Sequence, residues 1–395
     1  MSIDFDEARL RAVLDAFVVE LPSWGFSNTG TRFRVFPQPG TPRDTLEKLD
    51  DAATVHRYTG AAPLVSLHIP WDRVDDYAAL SAHATERGLR LGAINSNTFQ
   101  DEDYRLGSLA HPDAAVRAKA MRHMQECCEI VAATGAHALK VWLGDGTNYP
   151  GQDDFRSRKH RLMDALRAVH DQLPEPARLL VEYKFYEPAF YHTDIQDWGM
   201  AMLLARHAGE RGRVVVDLGH HAHGVNIEQI VAILLDEGVL GAFDLNDRKY
   251  GDDDLIAASV NPYQLFLIFN ELAGAGLESS AAGACARGIA YMVDQAHNIE
   301  PKVPAMIRTV TTLQEHWLKA CLVDRPALQA AQQAGDIVGA NECLKDAYDT
   351  DVRPLLARWR EARNLPAEPL RAYLASGEAE ARAQARREGV PAGWA

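Results

Sequence analysis

From residue 63 onward the chain repeats one unit: a short apolar stretch, a polar tip, and a longer amphipathic stretch of helical period. The apolar stretches "PLVSLHI" (63–69), "RLGAINS" (90–96), "ALKVWL" (138–143), "RLLVEYK" (178–184), "RVVVDLG" (213–219), "GAFDLND" (241–247) and "IAYMVDQ" (289–295) are strand candidates. Helical segments such as "DDYAALSAHATERG", "AAVRAKAMRHMQECCEIVAATG" and "NIEQIVAILLDEG" fill the gaps, each closed by the glycine a helix C-terminus favours. A strand that always returns through a helix runs parallel to its predecessor, so the alternation dictates an α/β fold. With "SWGFSNT" (23–29) the count reaches eight, which predicts a (β/α)8 barrel. A doubly wound sheet is the alternative, and its nucleotide-binding form loses support because no G-x-G-x-x-G follows the first strand. From about residue 325 the chain turns charged, Ala-rich and helical, without a strand ("ALQAAQQAGD", "LLARWREAR", "EAEARAQARREG"). The prediction is a catalytic barrel over 1–324 and a helical C-terminal extension over 325–395, packed on the barrel or on another subunit.

Charge and hydropathy exclude two classes of partner. Forty-one basic against 55 acidic residues give a net charge of −14. That argues against a nucleic-acid groove, which needs clustered Lys and Arg. No apolar run approaches the roughly 20 residues a bilayer span requires, and the start "MSIDFDEARLRAVLDAF" is acidic and amphipathic rather than a leader. The reading is a cytoplasmic protein without a membrane partner. Five cysteines, Cys127, Cys128, Cys285, Cys321 and Cys343, lack metal-ligand or C-x-x-C spacing and read as reduced and chemically idle.

In a (β/α)8 barrel, chemistry is built from the C-terminal ends of different strands. Read in order, those ends carry His68, Asn95 with Asn97, Trp142, Glu182 with Lys184, Asp217 with His220, Asp244 with Asn246, and Asp294. A single Asp there is ordinarily a helix N-cap. Carboxylates on four successive strands strain that explanation, because converging like charges raise one another's pKa unless cations lie among them. Hard divalent cations with oxygen ligands are the simplest answer. The loop "NDRKYGDDDL" adds Asp252 and Asp254, two apart and so directed the same way if that segment is extended. Two metal sites follow: Glu182, Asp217, Asp244 and Asp294 for the first, and Asp217, His220, Asp252 and Asp254 for the second. The imidazole favours Mn2+ or Co2+ there without excluding Mg2+.

At these residues the chain resembles the xylose-isomerase-like TIM barrels, and among them the bacterial L-rhamnose isomerases. The likeness runs through "FSNTGTRF", "SLHIPWD", "KVWLGDGTNYPGQ", "VEYKFYEPAFYHTDIQDWG", "VVVDLGHHAHGVNIEQI", "NDRKYGDDDL" and "YMVDQAHNIEPK", most of residues 26 to 302 in order. The resemblance implies a metal-dependent aldose-ketose isomerase with two divalent cations, Mn2+ foremost, and a homotetramer. It implies that Glu182, Asp217, Asp244 and Asp294 hold the structural or substrate-orienting ion, and Asp217, His220, Asp252 and Asp254 the catalytic one. It assigns Lys184, His68 and Asp72 to catalysis, with His68, Lys184 and the aromatic wall Trp142 facing the sugar. Phe36 would reach a neighbouring subunit's pocket, or else simply pack its own loop. One position departs from the pattern: Asp244 stands where L-rhamnose isomerases carry His and xylose isomerase carries Asp.

The chemistry this implies moves hydrogen between C1 and C2 of an open-chain sugar, as a hydride or through a cis-enediol. Residue types leave the two routes open. Lys184 shares a strand face with Glu182, so its ammonium is placed to stabilise charge developing on O1. His68 would open the ring or hold the sugar's far end, with Asp72 fixing its tautomer. His221, Asn246, Lys249 and His297 are candidates for orienting the ligands. The alternatives are an isomerase of xylose, lyxose, mannose or allose, a ketose epimerase, a metal-dependent endonuclease, or a sugar-binding barrel without turnover.

Overall fold

A computed structural model of the protein describes residues 7–29, 34–188 and 190–387. The "GTRF" part of one quoted segment and residues 388–395 of the C-terminal extension lie outside these. Eight strands, β1 (Val19–Pro22), β2 (Leu64–Ile69), β3 (Arg90–Ser96), β4 (Ala138–Trp142), β5 (Arg178–Glu182), β6 (Gly212–Asp217), β7 (Leu240–Leu245) and β8 (Ala290–Val293), close into a barrel in chain order. Every pairing is parallel, including the closing pair of β1 with β8. The expected (β/α)8 barrel is therefore the observed one.

Seven strands fall where the apolar stretches place them, and the first does not. β1 is "VELP", ahead of the expected 23–29, and Ser23–Phe26 instead forms a buried 3-10 turn. Pro22 has no N–H to continue the ladder, and the buried Phe26 and Trp24 side chains made a turn look like a strand.

Two layers of apolar packing follow from strand alternation. Outward-facing residues such as Leu139, Val181, Val214, Val216, Phe243 and Val293 join the helices in the main core. Inward, Ala93, Ala138, Leu180, Val215, Ala242 and Met292 form a separate small cluster within the barrel. Of the five helices from Arg325 to Ala385, the first four share the main core, through Leu328, Ala347, Trp359 and Tyr373. They return to the barrel by Arg386, whose guanidinium holds Asp51 of the helix Thr45–Thr59 with two 2.9 Å bonds. Among the described residues no helix is long and apolar enough to cross a membrane.

Toward its N-terminal end the barrel encloses Glu20, only 1% exposed. Its carboxylate accepts hydrogen bonds from Ser66 Oγ and from the Ala93 N–H, both at 2.5 Å, and lies 2.7 Å from His137 Nε2. Burial pushes the Glu20 carboxyl up, but His137 and these donors together hold it below its ordinary range. Loss of water around the His137 ring works against its charged form, and the Glu20 carboxylate more than reverses this, raising its pKa. A raised histidine stabilises the fold fully below its unfolded value of about 6.5, and that contribution fades as pH climbs through the raised value. We therefore expect the urea midpoint of the native protein to exceed that of His137→Gln near pH 6, with the gap closing toward pH 9. A gap that widens with pH would show the pair to be mis-assigned.

Candidate metal centre

Two residues beyond each member of the inner apolar cluster, the same alternation turns Asn95, Lys140, Glu182, Asp217, Asp244 and Asp294 inward. Contacts across the barrel agree: Lys140 on β4 reaches Asp244 on β7, which is possible only through the interior. One ligand atom each of Glu182, Asp217, Asp244 and Asp294 lies within 4.8 Å of the others, so the first expected set is assembled. Asp217 is wholly buried, and Glu182 and Asp244 are nearly so. None of these is an N-cap. The helices after β5 and β6 are capped by Asp197 and Asn226, which bond the N–H groups of Met200 and Gln229.

The carboxylate oxygens differ in the partners that the barrel gives them. Asp294 Oδ1 accepts the Trp24 indole N–H at 2.7 Å. Asp217 Oδ1 accepts from the Gly219 N–H (2.6 Å) and Asn246 Nδ2 (3.0 Å). Glu182 Oε1 lies 3.1 Å from His220 Nδ1, and Oε2 lies 3.4 Å from Lys140 Nζ. Asp244 Oδ2 accepts from Lys140 Nζ at 2.5 Å. The buried Asp217 Oδ2 and Asp244 Oδ1 accept no hydrogen bond at all. An anionic oxygen buried without a donor is costly, and a hard divalent cation held by these residues would supply the missing counter-charge. The residues thus fit the divalent ion that the fold suggests.

Electrostatics points the same way. Burial, with the charges of Asp252, Glu182 and Asp294, pushes the Asp217 carboxyl up to about 7 despite His220. Asp244 is raised by burial and by Glu182, Asp294 and Asp217, even with Lys140 on it, and burial raises Asp294 too. Glu182 alone of the four is held low: Lys140 and His220 outweigh its burial. The ring carries more negative charge than its neighbours neutralise.

The second expected set is only partly assembled. Glu182 and Asp217 form a compact group with His220. The imidazole puts Nδ1 3.0 Å from the Tyr183 carbonyl and Nε2 3.4 Å from Asp252 Oδ1 and 3.8 Å from Asp217 Oδ2. Burial works against the charged ring, but Asp217, Asp252 and Glu182 more than reverse this and raise its pKa, so the imidazole stands as a cation among these carboxylates and would offer Nε2 to a metal only on losing that proton. Asp252 and Asp254 enter neither compact group. Lys184 draws Asp252 aside with a 2.6 Å bond to Oδ2. Asp254 sits at φ 49°, so the segment is not extended and the two-apart argument for a shared direction does not hold. Asp253 belongs to the loop itself, accepting the N–H groups of Lys249 and Tyr250.

The remaining predicted residues divide. Lys184 Nζ bridges Glu187 and Asp252, each at 2.6 Å, and lies 5.3 Å from the centre of the Trp142 ring. Burial alone would lower its pKa, but these two carboxylates raise it, so it stays an ammonium. Trp142 also stacks at 6.1 Å from His220 and meets Phe99 edge-on at 4.8 Å. His68 stacks on Trp71 at 3.7 Å, and its buried Nδ1 neither accepts nor donates a hydrogen bond. Asp72 does not fix that ring. Its oxygens are taken by the His68 backbone N–H (2.8 Å), Lys48 Nζ (2.6 Å) and Ser23 Oγ, so it braces the main chain instead. Asn246 orients Asp217 as expected, whereas His221 bonds the Tyr183 hydroxyl and Lys249 lies over Tyr250. Phe36 is 52% exposed.

Sequence reasoning missed Lys140 and Trp24. The signal for Lys140 was present: in "ALKVW" it shares the inward parity of Trp142, where a lysine is otherwise unwelcome.

The family model described as "Xylose isomerase-like TIM barrel" matches residues 54–266. A "Probable sugar isomerase R00627" of Rhizobium meliloti (strain 1021) is 45% identical over 99% of this chain and 90% of its own length. The chain belongs to the xylose isomerase-like TIM barrel family. Within this family, the "Xylose isomerase" of Thermus thermophilus is 26% identical over 59% of this chain and 65% of its own. Among solved structures, a D-psicose 3-epimerase with D-tagatose from Clostridium cellulolyticum H10 shares the fold. Its TM-score is 0.50 at 11% identity, over 76% of this chain and 96% of that one.

In this xylose isomerase-like barrel the unsatisfied carboxylates make a stability prediction. Ionised Asp217 is unfavourable in the fold near neutral pH, because its folded pKa of about 7 lies above the unfolded value. After chelation Asp217→Asn should unfold at a higher temperature than the native chain. Mn2+ at about 100 times its Kd should add about 2.7 kcal/mol to the native chain and much less to the variant. A native melting temperature indifferent to Mn2+, Co2+ and Mg2+ would remove the metal centre.

Proposed function

We propose that the protein is a metal-dependent aldose-ketose isomerase that converts L-rhamnose to L-rhamnulose. The observation that carries this reading is the buried ring of Glu182, Asp217, Asp244 and Asp294, with two oxygens unsatisfied, beside an ammonium and an aromatic wall. Mn2+ is the first candidate, with Co2+ or Mg2+ as substitutes, and two ions per subunit match the two ligand groups that share Glu182 and Asp217. When bound, such ions supply Lewis-acid polarisation of the sugar's C1 and C2 oxygens.

The chain's own residues do the rest. An ammonium has three donors, and Glu187 and Asp252 occupy two of those on Lys184. The third is free for O1, where it stabilises the negative charge that develops as hydrogen leaves C2. Trp142, Phe99, Trp71 and His68 form one aromatic corner of stacked and edge-on rings. Such a wall excludes water and suits a sugar with an apolar end, as the 6-methyl group of a deoxyhexose is. That wall, with the "KVWLGDGTNYPGQ" and "EYKFYEPAFY" segments, favours rhamnose over other aldoses. His68, through its unpartnered Nδ1, would bind the ring oxygen or its neighbouring hydroxyl, with Asp72 holding the backbone beneath it. The expected homotetramer would bring Phe36, exposed in one chain, to a neighbour's pocket.

Lys184→Ala should lower kcat for ketose formation by about 100- to 1,000-fold, the usual cost of one charge-stabilising donor, while the circular dichroism spectrum is kept. His220→Ala, in the other ligand group, should lose activity in the same assay. A panel of aldoses with Mn2+, scored by kcat/KM, should rank L-rhamnose first. Full activity of Lys184→Ala overturns the mechanism, and a different leading sugar overturns only the substrate.

A further inference from the structure

Lys140 lies in the middle of the first ligand group. It is 4% exposed, and its Nζ stands 2.5 Å from Asp244 Oδ2 and 3.4 Å from Glu182 Oε2, under the face of Trp24 at 5.5 Å. It faces no solvent and spans the barrel from β4 to β7, so its position is not that of a surface lysine settling on a nearby acid. Its ammonium uses one oxygen of Asp244 and approaches one of Glu182, while Asp217 Oδ2 and Asp244 Oδ1 remain without a donor.

We infer that Lys140 is a resident cation of the first site. It cancels one of the site's four negative charges and leaves Asp244 a single oxygen for a divalent ion. A fixed positive charge among the ligands works against a divalent ion there, in a medium where charges are weakly screened. The first site therefore binds its ion more weakly than its four carboxylates alone would, and that ion exchanges readily. Lys140 reaches the ligand group beside His220 only through Glu182, at 3.4 Å, and the other lysine there, Lys184, bonds Glu187 and Asp252 rather than Glu182 or Asp217. Lys140 is a positioning residue, acting through Asp244 and Glu182.

This inference rests on the metal-dependent reading above, and direct metal binding separates the two. Chelated native protein, Lys140→Met and Lys140→Arg are titrated with Mn2+, and free Mn2+ is followed by its electron paramagnetic resonance signal. The native chain should show two classes of site at least tenfold apart. Lys140→Met should tighten the weaker class by tenfold or more, and Lys140→Arg, which keeps the charge, should not. Adding Asp294→Asn to Lys140→Met should weaken the tightened class, assigning it to the first site. Two equally tight ions in the native chain, or unchanged or weaker binding in a folded Lys140→Met, overturns the inference while leaving metal dependence standing. No Mn2+ bound by any of the three overturns the metal-dependent reading itself.

Discussion

Four carboxylates packed within a few ångströms of one another, out of water, are the constraint around which this molecule is arranged. Each buried anion needs a donor or a counter-charge, and mutual repulsion multiplies the need. The barrel meets part of it with its own groups. Trp24 and Asn246 hold single oxygens of Asp294 and Asp217, Lys140 pairs with Asp244, and His220 stands against Glu182. What is left over is concentrated on two oxygens that face no donor, Asp217 Oδ2 and Asp244 Oδ1.

A rigid frame is what makes that concentration possible. A strand presents alternate residues to one face, and eight strands closed on themselves aim those residues at one axis. The layer beneath is apolar and small, with alanines at 93, 138 and 242, so the polar layer rests on a packed floor rather than on solvent. Around the rim, aromatic rings from β2, β4 and the loop after β3 stand on one side, and the loop after β7 brings Asp252 from the other. Other acids do the routine work: Asp44, Asp76, Asp113, Asp154 and Asp197 cap helices, releasing the strand-tip carboxylates from that duty.

Much of this was legible in the chain. Seven strands were visible because each is a short apolar run with helices on both sides, and the four ring carboxylates because they end consecutive strands. The first strand was hidden, since a four-residue strand and the buried aromatic turn after it look alike in sequence. Asp252 and Asp254 were visible as a pair, but their directions were not. Loop backbone takes φ values that spacing does not reveal, as Asp254 shows. Asp72 was placed near His68 correctly and given the wrong partner, because proximity along the chain does not say whether a carboxylate takes the ring or the main-chain N–H.

By itself the sequence determined the alternation of parallel strands and helices and the residues that end seven of the strands, because periodicity 2 and periodicity 3.6 are properties of neighbouring residues. Tertiary structure alone decided which charges meet. Lys140 and Asp244 are 104 residues apart and touch through the barrel's centre, and Trp24 reaches Asp294 across 270. Those contacts depend on closure of the sheet, a geometric condition on all eight strands at once, and no local pattern encodes it.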